Sequence, residues 1–377
     1  MTSLLFALLS VSTIWTVVGL ASVLRATRCV RVRERPSRAP LQPPVTVLKP
    51  LCGADAGLAA NLATFFEQDY PSYELVFGVR DPDDPALEIV AELRRRYPEV
   101  PCKVIVHAGG GGINPKVDNL TGMVPHASCD LLLVSDSNVR APSHYLSELV
   151  DTFHQDPNVG LVTNLFAGSG ENTLGAALEN VQLNGFCAAG AALPTLLGDA
   201  LVVGKSMFFS RREFEKLGGF GRVANVLAED FVIGKMYQHA GRRVRIAPTV
   251  LENVTATMTT EGFLDRHLRW SMLRWRLRPL ASLLEPLTSP LALLPVAVWL
   301  GGSAGVTWAV TMLALRDVGG WIAMRGFSRA WLPVLLSPLR ELFMLAVWLR
   351  APFKRHVIWR GHRVRLGAGT LLFAVKP

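Results

Sequence analysis

The sequence predicts an α/β domain that lies in the cytosol and is anchored to a membrane at both of its ends. Two observations predict the membrane segments: residues 4–24 and 286–315 carry no charged side chain, and 50% of the 377 residues are hydrophobic. A third observation predicts the domain, because short β-branched runs alternate with longer amphipathic stretches from Val45 to about Leu280. We therefore expect an integral membrane protein.

The amino-terminal run, residues 1–24, is predicted to be an uncleaved anchor. No Lys or Arg precedes its apolar stretch, and that stretch is long enough to span a bilayer. The basic residues that follow are Arg25, Arg28, Arg31, Arg33, Arg35 and Arg38, against the single acid Glu34. The positive-inside rule then puts the amino terminus outside and the next domain in the cytosol. Residues 25–44, rich in Pro as well as Arg, form a stiff connector.

The domain spans residues 45–280, and its first half alternates strands with helices. The predicted strands are Val45–Leu48, Leu75–Val79, Lys103–Val106 and Leu131–Val134, and the predicted helices are Leu58–Gln68, Ala86–Tyr97 and Lys116–Val124. This alternation implies right-handed crossovers and a parallel sheet with helices on both faces. Ligands of such sheets bind at the carboxyl ends of the strands.

Residues 281–350 return to the membrane. Pro286–Leu315 is longer than one straight span requires, so it forms either one tilted helix or a hairpin broken at Gly301-Gly302-Ser303. Trp331–Leu349 is apolar except for Arg340 and Glu341, which either pair with each other or lie at an interface. We favour three spans in all, because an odd number puts the basic tail in the cytosol.

The charge distribution argues against nucleic acid as a partner, and the cysteine spacing argues against a cysteine-bound metal. The net charge of +9 is concentrated at the membrane edges and in the tail, residues 351–377, which favours anionic lipid over nucleic acid. The five cysteines form no CxxC pair and have no His at metal-ligand spacing, which is typical of reduced, buried thiols. We therefore expect the lipid bilayer, and not nucleic acid, as a partner.

Acidic residues mark the ends of two predicted strands and one later position. They are Asp81, Asp83 and Asp84, then Asp136, and then the stretch Ala228-Glu229-Asp230. Carboxylates that face one crevice repel each other unless a cation fills it, and a divalent metal shared with substrate phosphates is a common solution. The alternative is that these residues are good turn and cap formers and nothing more.

A basic helix follows the third acidic stretch. Arg266, Arg269 and Trp270 share one helical face, and two guanidinium groups beside an indole suit a pyrophosphate leaving group. The alternative is a juxtamembrane helix that touches anionic lipid. Gly198–Ser206 has glycines spaced nearly as in a phosphate loop, but with five residues between them rather than four, so we set it aside.

These motifs, in this order, resemble the ceramide glucosyltransferase family of inverting, nucleotide-sugar-dependent GT-A enzymes. The matching stretches are Val47–Leu51, Asn61–Leu62 to Tyr70–Pro71, Asp83–Ala86, Gly112–Leu120, Asp136–Ser137, Ala228–Asp230 and the RxxRW pattern of Arg266, Arg269 and Trp270. The resemblance extends from Val45 to about Pro279 and implies a GT-A domain with membrane helices on either side.

The resemblance also implies a role for each matching residue. Asp84 and Lys116 would hold the uridine diphosphate, Asp136 would reach the metal and pyrophosphate, Asp230 would be the catalytic base, and Arg266, Arg269 and Trp270 would close over diphosphate and acceptor. The implied cofactor is Mg²⁺ or Mn²⁺. Many GT-A enzymes have a second acid where this chain has Asn138, and a neutral amide is a poorer metal ligand.

The predicted reaction is transfer of glucose from UDP-glucose to the primary hydroxyl of ceramide, giving β-glucosylceramide and UDP. Transfer with inversion at the anomeric carbon needs a base that deprotonates the acceptor hydroxyl and groups that stabilise the negative charge on the leaving diphosphate. Three alternatives stay open: a UDP-sugar such as UDP-N-acetylglucosamine with another lipid such as a hopanoid polyol, a processive polysaccharide synthase, and a non-enzymatic membrane scaffold.

Overall fold

The structure, a computed structural model, describes residues 2–31, 42–196, 198, 201–326, 331–359 and 362–374. Most of the predicted connector lies outside these ranges, including Arg33, Arg35, Arg38, Pro36 and Pro40. The last three residues of the predicted tail, 375–377, lie outside them as well.

All seven elements predicted between Val45 and Val134 are present and begin or end within two residues of the expected bounds. The strands are β1 Val45–Pro50, β2 Tyr73–Val79, β3 Cys102–Val106, β4 Leu131–Ser135, β5 Val139–Arg140, β6 Val159–Ser169, β7 Ser206–Ser210, β8 Arg243–Val254, β9 His356–Trp359, β10 His362–Leu366 and β11 Leu372–Ala374. The helices are α1 Thr2–Arg31, α2 Leu58–Phe66, α3 Ala86–Arg96, α4 Pro115–Met123, α5 Tyr145–His154, α6 Leu174–Gln182, α7 Ala188–Leu196, α8 Arg211–Lys216, α9 Glu229–His239, α10 Thr260–Leu277, α11 Pro279–Leu283, α12 Leu294–Gly301, α13 Ser303–Arg325 and α14 Ser337–Arg350.

The larger sheet of the described chain contains eight strands in the order β3-β2-β1-β4-β7-β6-β8-β5. The first four are parallel, as predicted, and Val45 of β1 pairs with Tyr73 of β2 and with Leu131 of β4. Beyond β4 the sheet is mixed, because β7 runs antiparallel to β4 and β6, while β8 runs parallel to β6. The expectation of a parallel sheet is therefore right for one half of it.

Helices cover both faces of the parallel half, so its central strand is buried on both sides. Val47 of β1 packs in one core with Leu62 and other residues of α2, and its neighbour Leu48 packs in the other core with Leu120 of α4. All four side chains are fully buried. Burial of each contributes roughly 1.5–3 kcal/mol, which explains why continuous apolar runs mark these strands in the sequence.

Within the residues that the structure describes, two helical segments are long and apolar enough to cross a membrane, Thr2–Thr27 and Leu332–Phe353. Between them, α12 and α13 form a hairpin, because the chain breaks at Gly302, whose φ of 54° ends α12. This decides between the two arrangements expected for Pro286–Leu315. Helix α1 packs against α13, where Trp308 Nε1 donates to Thr13 Oγ1 at 3.0 Å.

Arg340 and Glu341 pair with each other and also with two charged residues of α13. Arg316 contacts Asp317 and Glu341 at 2.9 Å each, and Arg340 contacts both acids in turn. All four side chains are buried. Two guanidinium groups and two carboxylates balance each other, and such buried charges are tolerated only when paired.

The described part of the predicted tail is folded. Strands β9, β10 and β11 form an antiparallel sheet whose last turn holds the loop that leads into α9. Leu227 N–H donates to Thr370 O at 3.0 Å, and Leu372 N–H donates to Asn225 O at 2.8 Å. Thr370 adopts a φ of 63° and accepts the Ala228 N–H on its hydroxyl at 3.4 Å. The carboxyl-terminal sheet therefore positions the start of α9.

Candidate active site

The candidate site forms where the carboxyl end of β4 meets the segment that leads into β7. Ser135 at the end of β4 pairs antiparallel with Ser206 at the start of β7, so the next residues outward, Asp136 and Lys205, lie side by side. The Nζ atom of Lys205 is 3.5 Å from Asp136 Oδ2 and donates to Asn138 Oδ1 at 2.9 Å. Strand pairing therefore joins two residues that are far apart in the chain.

Lys116 supplies a second cation to Asp136 from the first turn of α4. Asn114 caps this helix, because its side-chain oxygen accepts the N–H groups of Lys116 and Val117 at 3.0 and 3.1 Å. The Lys116 ammonium is 2.8 Å from Asp136 Oδ1 and 3.4 Å from Glu229 Oε1. Burial by itself lowers the pKa of Lys116, but the two acids outweigh burial and raise the pKa above its ordinary value. Lys116 is therefore charged at neutral pH.

Asp136 is ionised as well, and the lysines are the reason. Burial raises the pKa of Asp136, but Lys116 and Lys205 outweigh burial and lower the pKa to about 2. Burial also lowers the pKa of Lys205, to about 8, although Asp136 opposes this shift. Lys49, buried beneath the site, donates to the main-chain oxygen of Asp136 at 2.7 Å and to Ser135 Oγ at 3.2 Å. Lys116 and Lys205 beside one ionised carboxylate suit an anionic ligand such as a diphosphate.

Two adjacent acids, Glu229 and Asp230, open α9 on the other side of Lys116. Asp230 Oδ2 accepts the Gly204 N–H at 2.9 Å, and Asp230 Oδ1 accepts the Phe231 N–H at 2.7 Å. Burial raises the pKa of both carboxyl groups, that of Glu229 to about 7, although Lys116 opposes the shift. A fixed carboxyl group with a raised pKa is suited to accept a proton near neutral pH.

Gly204 lies between these groups and contacts both sides of the site. Its carbonyl accepts the Lys116 ammonium at 2.7 Å, while its N–H donates to Asp230. A Cβ atom at this position would be 3.0 Å from Asp230 Oδ2 and 3.3 Å from Lys116 Nζ. Sequence reasoning set this stretch aside as a poor phosphate loop and so missed Gly204 and Lys205. The available signal was the Gly-Lys pair directly before the apolar strand β7.

Asp84 lies at the same edge of the sheet, after β2, and not in the lysine cluster. Its carboxylate accepts the Gly53 N–H at 2.9 and 3.1 Å and the Ala86 N–H at 2.9 Å, so it ties the loop after β1 to the start of α3. Asp81 and Asp83, in contrast, are exposed. Of the three acids after β2, Asp84 alone is buried.

The basic helix predicted around Arg266 is α10, and it packs on α6. Arg266 Nη1 is 2.9 Å from Glu179 Oε1, and His267 Nε2 is 2.7 Å from Glu179 Oε2. Burial raises the pKa of Glu179, but His267 and Arg266 outweigh it and lower the pKa to about 2. The charge of Arg266 also contributes to the lowered pKa of Lys205.

The other two residues of the RxxRW pattern lie further along α10. Trp270 stands edge-on to the His267 ring, with ring centroids 5.2 Å apart, and Arg269 is partly exposed beside it. The structure therefore brings Lys116, Asp136 and Asp230 into one cluster. Arg266, Arg269 and Trp270 all lie on α10, and the charge of Arg266 acts on the cluster at Lys205.

The donor atoms at Asp136 fit a metal that is shared with a phosphate ligand. No group of three His, Cys, Asp or Glu residues in the described part of the chain is close enough to hold a metal by itself. Asp136 offers one carboxylate and Asn138 one amide oxygen, and both face the Lys205 ammonium. Mg²⁺ is commonly bound through one or two carboxylates together with substrate phosphates and water, and this donor set meets that requirement.

Comparison with known proteins identifies the family and the fold of this chain. A family model described as glycosyl transferase family 21 matches residues 11–372. The chain is 26% identical over 349 residues to ceramide glucosyltransferase 1 of Caenorhabditis elegans, covering 90% of this chain and 75% of that protein. It is 28% identical over 245 residues to ceramide glucosyltransferase 3 of the same organism, covering 65% and 53% respectively.

Among solved structures, a mannosyltransferase of Pyrobaculum calidifontis in complex with GDP-mannose and Mn²⁺ shares the fold. The TM-score is 0.50 at 17% sequence identity, and the match covers 92% of this chain and 99% of that one. The domain is thus a GT-A domain, as the sequence motifs implied. The chain belongs to glycosyl transferase family 21, the family of the ceramide glucosyltransferases, and is a hexosyltransferase.

Proposed function

We propose that this protein transfers glucose from UDP-glucose to the primary hydroxyl of ceramide, with inversion, and releases β-glucosylceramide and UDP. The observation that carries the proposal is the pairing of Asp230, a carboxyl group with a raised pKa, with the cation cluster of Lys116 and Lys205 around Asp136. A base and a leaving-group site next to each other are what a single in-line displacement requires. The ceramide acceptor and the glucose donor are supported by the names of the relatives.

Asp230 is proposed to act as the base. Its two oxygens accept N–H groups from Gly204 and Phe231, which fixes the orientation of the carboxyl group. Burial disfavours its charged form, so the ionised carboxylate gains by taking a proton from the lipid hydroxyl. The hydroxyl oxygen then forms a bond to the anomeric carbon, while the bond from that carbon to the diphosphate oxygen breaks.

The donor is proposed to bind across the carboxyl edge of the sheet. Asp84 and Lys116 would hold the uridine diphosphate, with Arg266, Arg269 and Trp270 closing over it from α10. Asp136 would hold Mg²⁺ or Mn²⁺ together with the diphosphate, and the ion would neutralise charge on the leaving group. Lys116 is already charged and fixed by Gly204, so it needs no reorganisation to stabilise that charge.

The acceptor is proposed to reach the site from the membrane. In this arrangement residues 1–24 and 281–350 anchor the transferase domain, 45–280, in a multi-pass topology with the domain and the tail in the cytosol. The apolar helices at either end of the domain and the basic residues after α1 support this topology. A domain tethered in this way keeps its active site at the level of the lipid headgroups.

The test is to express the full chain in a host without glycosphingolipids, supply ceramide, and profile total lipids by mass spectrometry. We expect a new hexosylceramide with the wild type and its loss with Asp230→Asn. Asp156→Asn is the matched control, because Asp156 pairs with Arg243 outside the site and its substitution leaves the product intact.

Three results would contradict the proposal. A hexose or N-acetylhexosamine on a different lipid, such as a hopanoid polyol, would keep the site and refute the acceptor. Substantial hexosylceramide from Asp230→Asn would remove Asp230 from the role of base. A polymeric product would instead indicate a polysaccharide synthase.

A further inference from the structure

Lys205 belongs to the cation cluster of the site, but the proposed reaction assigns it no step of its own. Its side chain is 14% exposed and reaches Asn138 Oδ1 at 2.9 Å and Asp136 Oδ2 at 3.5 Å. The preceding residue, Gly204, contacts both Lys116 and Asp230. The segment that carries Lys205 is therefore part of the wall of the site.

The three lysines around Asp136 are not equivalent. Lys49 is fully buried and bonds a main-chain oxygen and Ser135, so it supports the strand end from beneath. Lys116 makes the short 2.8 Å contact to Asp136 and is also fixed by the Gly204 carbonyl. Lys205 is 3.5 Å from Asp136, the longer of the two ammonium–carboxylate contacts. Breaking this contact therefore costs less free energy than breaking that of Lys116.

The atoms that Lys205 contacts are also the donor atoms that a divalent ion would use. Asp136 Oδ2 and Asn138 Oδ1 both lie within 3.5 Å of its ammonium. Two cations cannot share those oxygens without strong repulsion in a partly buried site. A long, flexible lysine side chain can instead turn toward a nearby anion and bind it as a point charge.

We propose that Lys205 is a second diphosphate-binding residue of the site and that its ammonium competes with the divalent ion for the oxygens of Asp136 and Asn138. This rests on the proposed function, in which the donor is a nucleoside diphosphate sugar. The ammonium turns from Asp136 to the diphosphate when donor and metal bind together. The arrangement supplies charge to the leaving group and keeps Asp136 paired when the metal is not bound there.

The test measures binding, with the full chain in detergent, of Mn²⁺ alone and of UDP at saturating Mn²⁺. Loss of one nearby charge should change each affinity by about tenfold. For Lys205→Met we expect Mn²⁺ alone to bind about tenfold more tightly, because the competing ammonium is gone. We expect UDP at saturating Mn²⁺ to bind about tenfold more weakly, because the diphosphate loses a cation.

Two matched variants separate charge from packing. Lys205→Arg keeps the charge and should bind UDP within about threefold of wild type, whereas Lys216→Met removes an exposed lysine of α8 and should change neither affinity. If Lys205→Met binds Mn²⁺ or UDP as the wild type does, the role of Lys205 is refuted. If the wild type binds no UDP, the proposed donor is refuted and this role with it.

Discussion

Replacement of Gly204 by alanine tests whether the close approach of Lys116 and Asp230 to the main chain matters for catalysis. The new Cβ would lie 3.0 Å from Asp230 Oδ2 and 3.3 Å from both Asp230 Cβ and Lys116 Nζ, where ordinary contact begins at 3.4 Å. The two side chains must therefore move by a few tenths of an ångström. A displacement of about 1 Å in a catalytic group can cost about 10²-fold in rate, so we expect kcat to fall about tenfold.

The cost to folding should be small in the same variant. Gly204 does not adopt a left-handed φ, so alanine can take up its backbone conformation. Overpacking of one methyl group costs about 1 kcal/mol, which corresponds to a small fall in the midpoint of thermal unfolding. The signature is therefore a large loss of rate with a nearly unchanged stability.

The assay follows initial rates of glucosylceramide formation from UDP-glucose and ceramide in mixed micelles, alongside thermal unfolding of the same preparations. Gly221→Ala is the matched control, because a Cβ there would meet nothing within 4 Å. It should retain wild-type kcat. Wild-type kcat in Gly204→Ala would refute the reasoning, because it would mean that Asp230 and Lys116 tolerate displacement.

Three further predictions concern groups around the site. Glu229→Gln removes a carboxyl group whose pKa is about 7 and whose charge disfavours ionisation of Asp230. The acid limb of the pH profile of kcat/KM should therefore move to lower pH. A limb at the wild-type pH would contradict the coupling of the two carboxyl groups. Glu179→Gln leaves Arg266 and His267 facing a neutral amide, so the free energy of unfolding should fall by about 3 kcal/mol. Thermal unfolding in detergent should show a lower midpoint. An unchanged midpoint would argue against a stabilising role of these ion pairs. Thr370→Val removes the hydroxyl that accepts the Ala228 N–H at the start of α9. We expect kcat to fall several-fold while KM for UDP-glucose stays unchanged. Equal changes in kcat and KM would instead place Thr370 in donor binding.

Much of the parallel half of the sheet could be predicted because its strands are buried on both faces. Leu131–Val134 is a continuous apolar run, and Val45–Leu48 is apolar except for the buried Thr46; such runs have few alternatives to a central strand. Strand β7, Ser206–Ser210, is short and is joined to β4 by antiparallel pairing over a long stretch of chain. The pattern of apolar residues within β7 carries no information about which distant strand β7 pairs with.

The carboxyl-terminal sheet was missed for a related reason. His356–Ala374 is rich in arginine, and charge alone suggested a solvated basic tail. In the structure, the exposed Arg363 and Arg365 alternate with Val364 and Leu366, which are buried in one apolar cluster with Val357. In so short a segment, the alternation of buried and exposed side chains that marks a β-strand is hard to see among the charged residues. The same alternation is enough to form a strand once another surface covers the apolar side chains.

By itself, the sequence determined the α/β class, the apolar segments at both ends and the acids Asp136 and Asp230 as site candidates, because these depend on local patterns and on ordered motifs. Only the tertiary structure decided that Lys205 lies against Asp136 and that Gly204 touches Lys116 and Asp230. The reason is physical: an active site is assembled at strand ends, and which ends become neighbours is set by the pairing of strands that are distant in the chain.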